Sequence, residues 1–281
     1  MVEISFATPA QRVEIEEFMH AAFPRAKWGR DGWTRLLASR WLEGGEFAVQ
    51  ARDGDALVGV MGMNDSLRHT PRGPQSYRNL TSWYVLKSHR GMGLGERLMH
   101  HAMADPQVTS TNLTSAKAAL PLVDRIGFRV LDDTRYTWRK SGAPALSLSR
   151  DPLAEAPLDA VDRRVLADHA DLDLVPLAID TPDGLCTLVL SVKQKRDEYV
   201  THEVVYAGQP DLLARNAAAI ADTVLPDTPA VFSVDSRLAP GAAPPLVEMI
   251  EVPRFYKGSS LLPAEIDHMY SEVVLMGMKL Y

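Results

Sequence analysis

The chain has 281 residues, of which 46% are hydrophobic and 23% charged, with a formal charge of -6 and a single cysteine, Cys186. That length suits one large domain or two ordinary ones, and the acidic balance argues against a nucleic-acid partner, which usually demands a basic face. One cysteine excludes an intrachain disulfide. No apolar run approaches 18 residues, and Met1-Val-Glu-Ile-Ser lacks a signal-peptide pattern, so a cytoplasmic location away from the membrane is the expectation.

Thr8-Pro9-Ala10-Gln11 has the form of a helix start, with Thr8 as N-cap, Pro9 in the first turn and Gln11 closing a capping box. Ile15, Phe18, Met19, Ala22 and Phe23 then recur at helical spacing, and Phe23-Pro24 ends the run. A second helix is predicted from Asp31 to Trp41. Glu46 to Arg52 and Ala56 to Met63 are predicted as strands joined by the turn Asp53-Gly54. The polar stretch Asn64 to Arg78 is expected to be a loop, with Arg68, Arg72 and Arg78 in water. Arg25, Lys27, Trp28 and Arg30 between the first two helices can be a clamp for an anionic or sugar substrate, but a solvated loop over Trp28 is the simpler reading.

A strand is predicted from Asn79 to Leu86, followed by Arg90-Gly91-Met92-Gly93-Leu94-Gly95 and a helix carrying Leu94, Leu98, Met99, Ala102 and Met103. Glycines free the backbone to take positive φ and to approach a ligand closely. The first turn of the helix adds unpaired N–H groups and a positive dipole end, which together suit a phosphate. The spacing is neither Gly-x-Gly-x-x-Gly after a first strand nor Gly-x-x-x-x-Gly-Lys-Ser/Thr, so neither a dinucleotide fold nor a P-loop is indicated. A threonine-rich strand from Val108 to Thr114, a short helix ending at Ile126 with Gly127 as its cap, and a strand from Phe128 to Trp138 complete the first part.

Arg90, Gly93 and Gly95 fit Arg/Gln-x-x-Gly-x-Gly/Ala, and residues 1–140 follow the order β-α-α-β-β-β-α-β-α-β. On both counts the region resembles the GNAT family of acyl-CoA-dependent N-acyltransferases. Ala119-Leu-Pro-Leu-Val-Asp-Arg-Ile-Gly-Phe128 is similar to the family's closing helix. The resemblance implies an α/β fold with a mixed, mostly antiparallel sheet, acetyl-CoA as cofactor, and a small-molecule amine, an amino sugar among the options, as partner. It implies that Tyr84, Val85, Leu86, Arg90, Gly91, Met92, Gly93, Leu94, Gly95 and Glu96 hold the coenzyme, with the Val85 N–H facing the thioester oxygen. Bulky Trp83 and Tyr84 favour a small acyl group. Val123 stands where the family often has a proton-donating tyrosine, and Ala116 where it often has asparagine. The stretch from Asn79 to Leu86 offers no acid as general base, which leaves His20, His69 and His89, with His20 nearest the acceptor side. Tyr84 can line the acyl pocket or serve as a core aromatic. No metal site is expected.

Ser141 to Pro157 is expected to be a linker. Beyond it the pattern predicts a helix from Leu158 to Ala170 and strands over Leu185–Val192 and Tyr199–Tyr206. A helix from Asp211 to Val224, strands over Ala230–Val234 and within Leu246–Val252, and a helix from Pro263 to Met276 follow. This order echoes the first part, so residues 158–281 can be a degenerate duplicate; Ala207-Gly208-Gln209-Pro210 lacks the further glycines of the cradle. Cys186 is expected to be a buried strand residue. Arg254 to Gly258 and Ile266 to Glu272 are dense in functional side chains. With Asn79 to Val85 they resemble uncharacterised acyltransferase-like proteins associated with surface-polysaccharide synthesis, though Ile266, Met269, Tyr270 and Val273 also fit a buried helical stripe. A homodimer is compatible with the sequence. The alternatives are a coenzyme-binding scaffold without turnover and, more remotely, a nucleotide-phosphate binder.

Overall fold

The computed structural model describes residues 1–195 and 198–280. The chain divides into two compact units. The first comprises Met1–Val130, Arg254–Leu262 and Tyr270–Met276, and the second Leu131–Pro253, Pro263–Met269 and Gly277–Tyr281.

In the first unit the elements run β1 (Val2–Phe6), α1 (Arg12–Ala22), α2 (Arg30–Leu36), β2 (Ala48–Asp53), β3 (Ala56–Thr70), β4 (Gly73–Val85), α3 (Leu94–Ala102), β5 (Thr109–Asn112) and α4 (Leu120–Arg125). β1 to β4 pair antiparallel in sequence order, and β5 joins β4 in parallel. Thr8 and Gln11 form the expected capping box, with Thr8 N–H donating to Gln11 Oε1 at 2.9 Å. Leu94, Leu98, Met99 and Ala102, spaced four, five and eight apart, bury one face of α3 against Val49, Ala51, Met61, Met63, Leu80 and Val85. Each buried side chain of leucine size stabilises the unit by about 1.5–3 kcal/mol.

β3 and β4 form one long hairpin across residues 64–78, where a loop was expected. The polar residues there face a buried polar layer, so alternation of polarity carries no strand signal. Arg78 is 6% exposed and grips Asp65 through Nε–Oδ1 at 2.6 Å and Nη2–Oδ2 at 2.7 Å, while Arg68 is buried over the Tyr77 and Tyr270 rings. The expectation that Arg68 and Arg78 are solvated is therefore corrected.

In the second unit β6 (Arg129–Trp138), β7 (Ser147–Ser149), α5 (Pro152–Glu155), α6 (Ala160–Asp168), β8 (Val175–Thr181), β9 (Gly184–Lys195), β10 (Tyr199–Ala207), α7 (Pro210–Val224), β11 (Ala230–Asp235) and β12 (Leu246–Lys257) follow in order. Residues 131–138 of β6 and 246–253 of β12 belong to this unit. The sheet order is β6-β11-β10-β9-β8-β7, antiparallel except that β10 and β11 run parallel. Leu213, Ala217, Ile220, Ala221 and Val224 of α7 close its core against Leu188, Leu190, Val204, Phe232 and Val234. Both units thus hold a hairpin, a helix and a strand parallel to the hairpin's second member. The stretch 141–157 is not a bare linker, since β7 pairs with β8 and α5 follows it.

The boundary at residue 140 is also redrawn. β6 pairs with β11 in the second unit, whereas Phe255–Lys257 at the end of β12 pair antiparallel with Asn112–Ser110 of β5 in the first. The expected helix from Pro263 to Met276 resolves into a short turn at Pro263–Glu265 and the four-residue α8 (Glu272–Leu275). Its apolar stripe is divided between the units, with Ile266 and Met269 buried in the second and Tyr270 and Val273 in the first. Tyr270 at φ 58 interrupts any helix there.

Candidate active site

β4 builds the site because it departs from regular geometry twice. Thr81 opposes Gly62 and Trp83 opposes Met61, so Ser82 is an inserted bulge residue, at φ 36. The bulge keeps Thr81 and Tyr84 on the face covered by α1 and α2: a Cβ on Gly62 would meet Thr81 and Leu37, and Tyr84 meets Phe18 and Phe23 at ring distances of 6.1 and 5.6 Å. Trp83 and Val85 point to the α3 face.

The second departure lies at the other edge. β4 pairs with β5 over Tyr77–Asn79 and Thr109–Thr111, and Leu80–Val85 run on past the end of that pairing. Leu86 N–H donates to Val58 O at 2.9 Å, which makes Gly59↔Val85 a non-hydrogen-bonded pair. The Val85 N–H and C=O therefore point away from β3, toward the edge where β5 has left. Arg90 Nε donates to Val85 O at 3.0 Å, and its guanidinium lies 5.2 Å from the Tyr84 ring centroid.

The glycines divide the work. Gly91 (φ 79) and Gly93 (φ 69) adopt the left-handed conformation that side chains resist, and a Cβ on either would face open space. Gly93 is the N-cap of α3, whose first N–H groups lack intrahelical partners. Gly95 has a different role: a Cβ there would collide with the Trp83 indole. A cleft of about 670 Å³ lies between the end of β4, the glycine turn and the segment entering α4, reaching Ala116, Leu122 and Arg125. Arg125 Nη1 stands 3.9 Å from Glu96 Oε2 on its wall. Backbone N–H groups, a helix start and two arginines suit an extended anionic ligand.

Tyr84, Val85, Arg90, Gly91, Gly93, Leu94, Gly95 and Glu96 line the cleft together. Met92 is exposed at the tip of the turn, and the Leu86 N–H is already committed to Val58. His20 is exposed at the end of α1 and His69 at the far end of the hairpin, while His89 lies 3.5 Å from Asp53. Val123 is fully buried in the core of the first unit. Burial pushes the Cys186 thiol up to about 12, as a packed strand residue requires.

Glu272 ends the run of functional side chains noted in the sequence, where no individual role attaches to it. It lies 2% exposed on the C-terminal segment, accepts a hydrogen bond from Thr114 Oγ1 at 2.6 Å on Oε1, and donates its backbone N–H to Asn79 Oδ1 at 3.1 Å. Burial raises its carboxyl to about 7. Its surroundings are not legible locally, because both partners are more than 150 residues away in sequence.

In the second unit the turn before α7 is closely packed at Gly208. A Cβ on Gly208 would collide with the Asp162 carboxylate, which accepts from Tyr206 Oη at 2.5 Å and Gln209 Nε2 at 2.9 Å in front of α7. Among the described residues no group of acids, histidines and cysteines could hold a metal, and no helix is long and apolar enough to cross a membrane.

The model of the acetyltransferase (GNAT) domain matches residues 11–138. No curated protein matches the sequence. Among solved structures, a conserved protein from Enterococcus faecalis V583 described as a "Probable N-Acyltransferase" is 11% identical, with 94% of this chain and 74% of that one covered and a TM-score of 0.60. A GCN5-related N-acetyltransferase from Anabaena variabilis is 10% identical over 91% and 72% of the two chains, with a TM-score of 0.59. Another from Kribbella flavida is 12% identical over 91% and 70%, with a TM-score of 0.56. At such identities the likeness is one of fold.

Proposed function

From the premise that residues 11–138 are a GNAT acetyltransferase domain, we propose that the chain is an acyl-CoA-dependent N-acyltransferase. In this reading it transfers acetyl from acetyl-CoA to a primary amine of a small molecule, an amino sugar being one candidate. The observation that carries the reading is the outward-facing N–H of Val85, at an edge that β5 has left, one turn from the Gly91–Gly95 cradle. When bound, acetyl-CoA supplies an activated acetyl thioester.

The chain's own groups then divide the task. Val85 N–H is available to polarise the thioester carbonyl, a donor whose loss from comparable sites costs about 3 kcal/mol of barrier. The N–H groups at the start of α3, with Arg90 and Arg125, hold diphosphate charge. Arg90 must release the Val85 carbonyl before that carbonyl can pair with an amide of the bound arm. Tyr84, Phe18 and Phe23 form an aromatic wall that restricts the acyl group to a small one. Val123 supplies no phenol to the departing sulfur. That departure favours, as a second reading, a coenzyme-binding scaffold without turnover. We read the second unit as a degenerate duplicate whose cradle is held by Asp162 in place of a phosphate.

Calorimetric titration with acetyl-CoA tests the reading. Micromolar affinity, about -8 kcal/mol, is expected, with at least a tenfold loss on Gly93→Glu, because that substitution puts a carboxylate into the cradle. Equal binding by the variant, or none by the native protein, overturns the proposal.

A further inference from the structure

We propose that Arg90 is a latch on the open edge of β4, released by the coenzyme's diphosphate, so that the cleft selects coenzyme A thioesters over pantetheine thioesters that carry no phosphate. The inference rests on the acyl-transfer reading above and names the residue that sets its thioester specificity.

The guanidinium lies across the edge that the coenzyme's arm needs. Val85 N–H and C=O face the side that β5 has left, and a free strand edge takes up an extended ligand as it would another strand. The pantetheine arm carries amides, for which Val85 C=O is an acceptor on this edge. Arg90 Nε already donates to that oxygen at 3.0 Å. Its Cζ stands 5.2 Å from the Tyr84 ring centroid, and Tyr84 is in turn packed on Phe18 and Phe23. Arg90 is thus tied both to the strand backbone and to the neighbouring ring, and it competes with the arm for the same carbonyl.

The cradle beside it offers the stronger partner when a diphosphate is bound. Arg90 is exposed, with an extended backbone (φ -74, ψ 157) immediately before the left-handed Gly91. A Cβ on Gly91 or Gly93 would meet nothing within 4 Å, so the turn lets a ligand lie against its backbone at the start of α3. Tyr84, Val85, Arg90 and both of these glycines line one cleft of about 670 Å³. A carbonyl and an exposed ring hold a guanidinium weakly, whereas diphosphate oxygens accept paired N–H bonds from the arginine fork and carry full negative charge. The diphosphate therefore draws Arg90 from the edge to the cradle, and Val85 C=O is opened to the arm in the same event.

Selectivity follows by linkage. A ligand shifts a two-state equilibrium only as far as it binds one state better than the other. An arm without diphosphate breaks the Arg90–Val85 bond and gives the guanidinium nothing in return, so its affinity is reduced by the fraction of molecules with the latch open. Acetyl-CoA replaces the contact that it breaks. Arg125 lines the same cleft and carries the same charge, but its ion pair is with Glu96 of α3 rather than with β4, so it separates the effect of charge from that of latching.

The experiment is calorimetric titration of the native protein, Arg90→Met and Arg125→Met with acetyl-CoA and with S-acetylpantetheine, which has the same thioester and amides but no phosphate. Arg90→Met should bind acetyl-CoA about tenfold more weakly than the native protein, yet S-acetylpantetheine about threefold more tightly. Arg125→Met should weaken acetyl-CoA and leave S-acetylpantetheine unchanged. The latch is overturned if Arg90→Met leaves S-acetylpantetheine binding unchanged, weakened or absent. It is overturned equally if Arg125→Met tightens that ligand as much, because the gain then comes from charge alone. Should the native protein bind acetyl-CoA without this reversal of sign, the latch alone falls; should it bind no acetyl-CoA, the acyl-transfer reading falls and the latch with it.

Discussion

Gly95 lies against the Trp83 indole with no room for a methyl group between them. Strand β4 and helix α3 are thereby locked in the approach that sets the cradle beside the free edge of Val85. The third glycine of the motif is in this sense a packing residue.

Gly95→Ala must push the indole or the helix aside, and overpacking of this kind costs about 1–3 kcal/mol. Gly93→Ala strains only the local backbone, by about 1–2 kcal/mol. Urea unfolding should therefore show both variants destabilised, but a shift in tryptophan emission in Gly95→Ala alone. Identical spectra would mean that Trp83 does not set the approach.

Arg78 holds Asp65 through two hydrogen bonds inside the β3–β4 hairpin, and both residues are less than 9% exposed. Removing one partner leaves a buried charge, at a cost of about 3–5 kcal/mol. Asp65→Ala should fall in that range, with Asp65→Asn milder because it can still accept from Arg78. A loss below 1 kcal/mol for Asp65→Ala would show that water replaces the carboxylate.

Glu272 also predicts how stability depends on pH. Its folded pKa, about 7, exceeds the ordinary 4.5, so the folded state binds the proton more tightly than the unfolded one. The stabilisation from that proton is fully present below pH 4.5 and is lost as pH rises through about 7. The loss is about 3 kcal/mol at 1.36 kcal/mol per unit. Glutamine stands in for the protonated form, so Glu272→Gln should gain stability relative to the native protein as pH climbs from 4.5 to 7, then hold a constant difference. Parallel stability curves for the two proteins would exclude a raised pKa.

Much of the first unit was legible in the sequence because its signals are local. The capping residues at Thr8 and Gln11, the Asp53-Gly54 turn and the period of α3 each lie within a dozen residues. The strand from Asn64 to Arg78 was not legible, because Asn64, Ser66, Arg68 and Asn79 read as solvent-facing until the buried layer that takes them is known. β8 had no expectation attached to it, and the tail from Pro263 onward read as one helix although its apolar residues serve two cores.

By itself the sequence determined the cradle: a strand, an arginine and three spaced glycines before an amphipathic helix are a contiguous pattern, and backbone geometry follows from residue type over so short a span. The tertiary structure alone decided what surrounds that cradle and the strand leading into it. The bulge at Ser82 sorts Tyr84 and Val85 onto opposite faces, the pairing of Phe255–Lys257 with β5 closes the edge of the sheet, and the turn at Tyr270 brings Glu272 to Asn79 and Thr114. Those contacts span 140 to nearly 200 residues of chain, and over such separations only the packing of whole elements fixes which side chains meet.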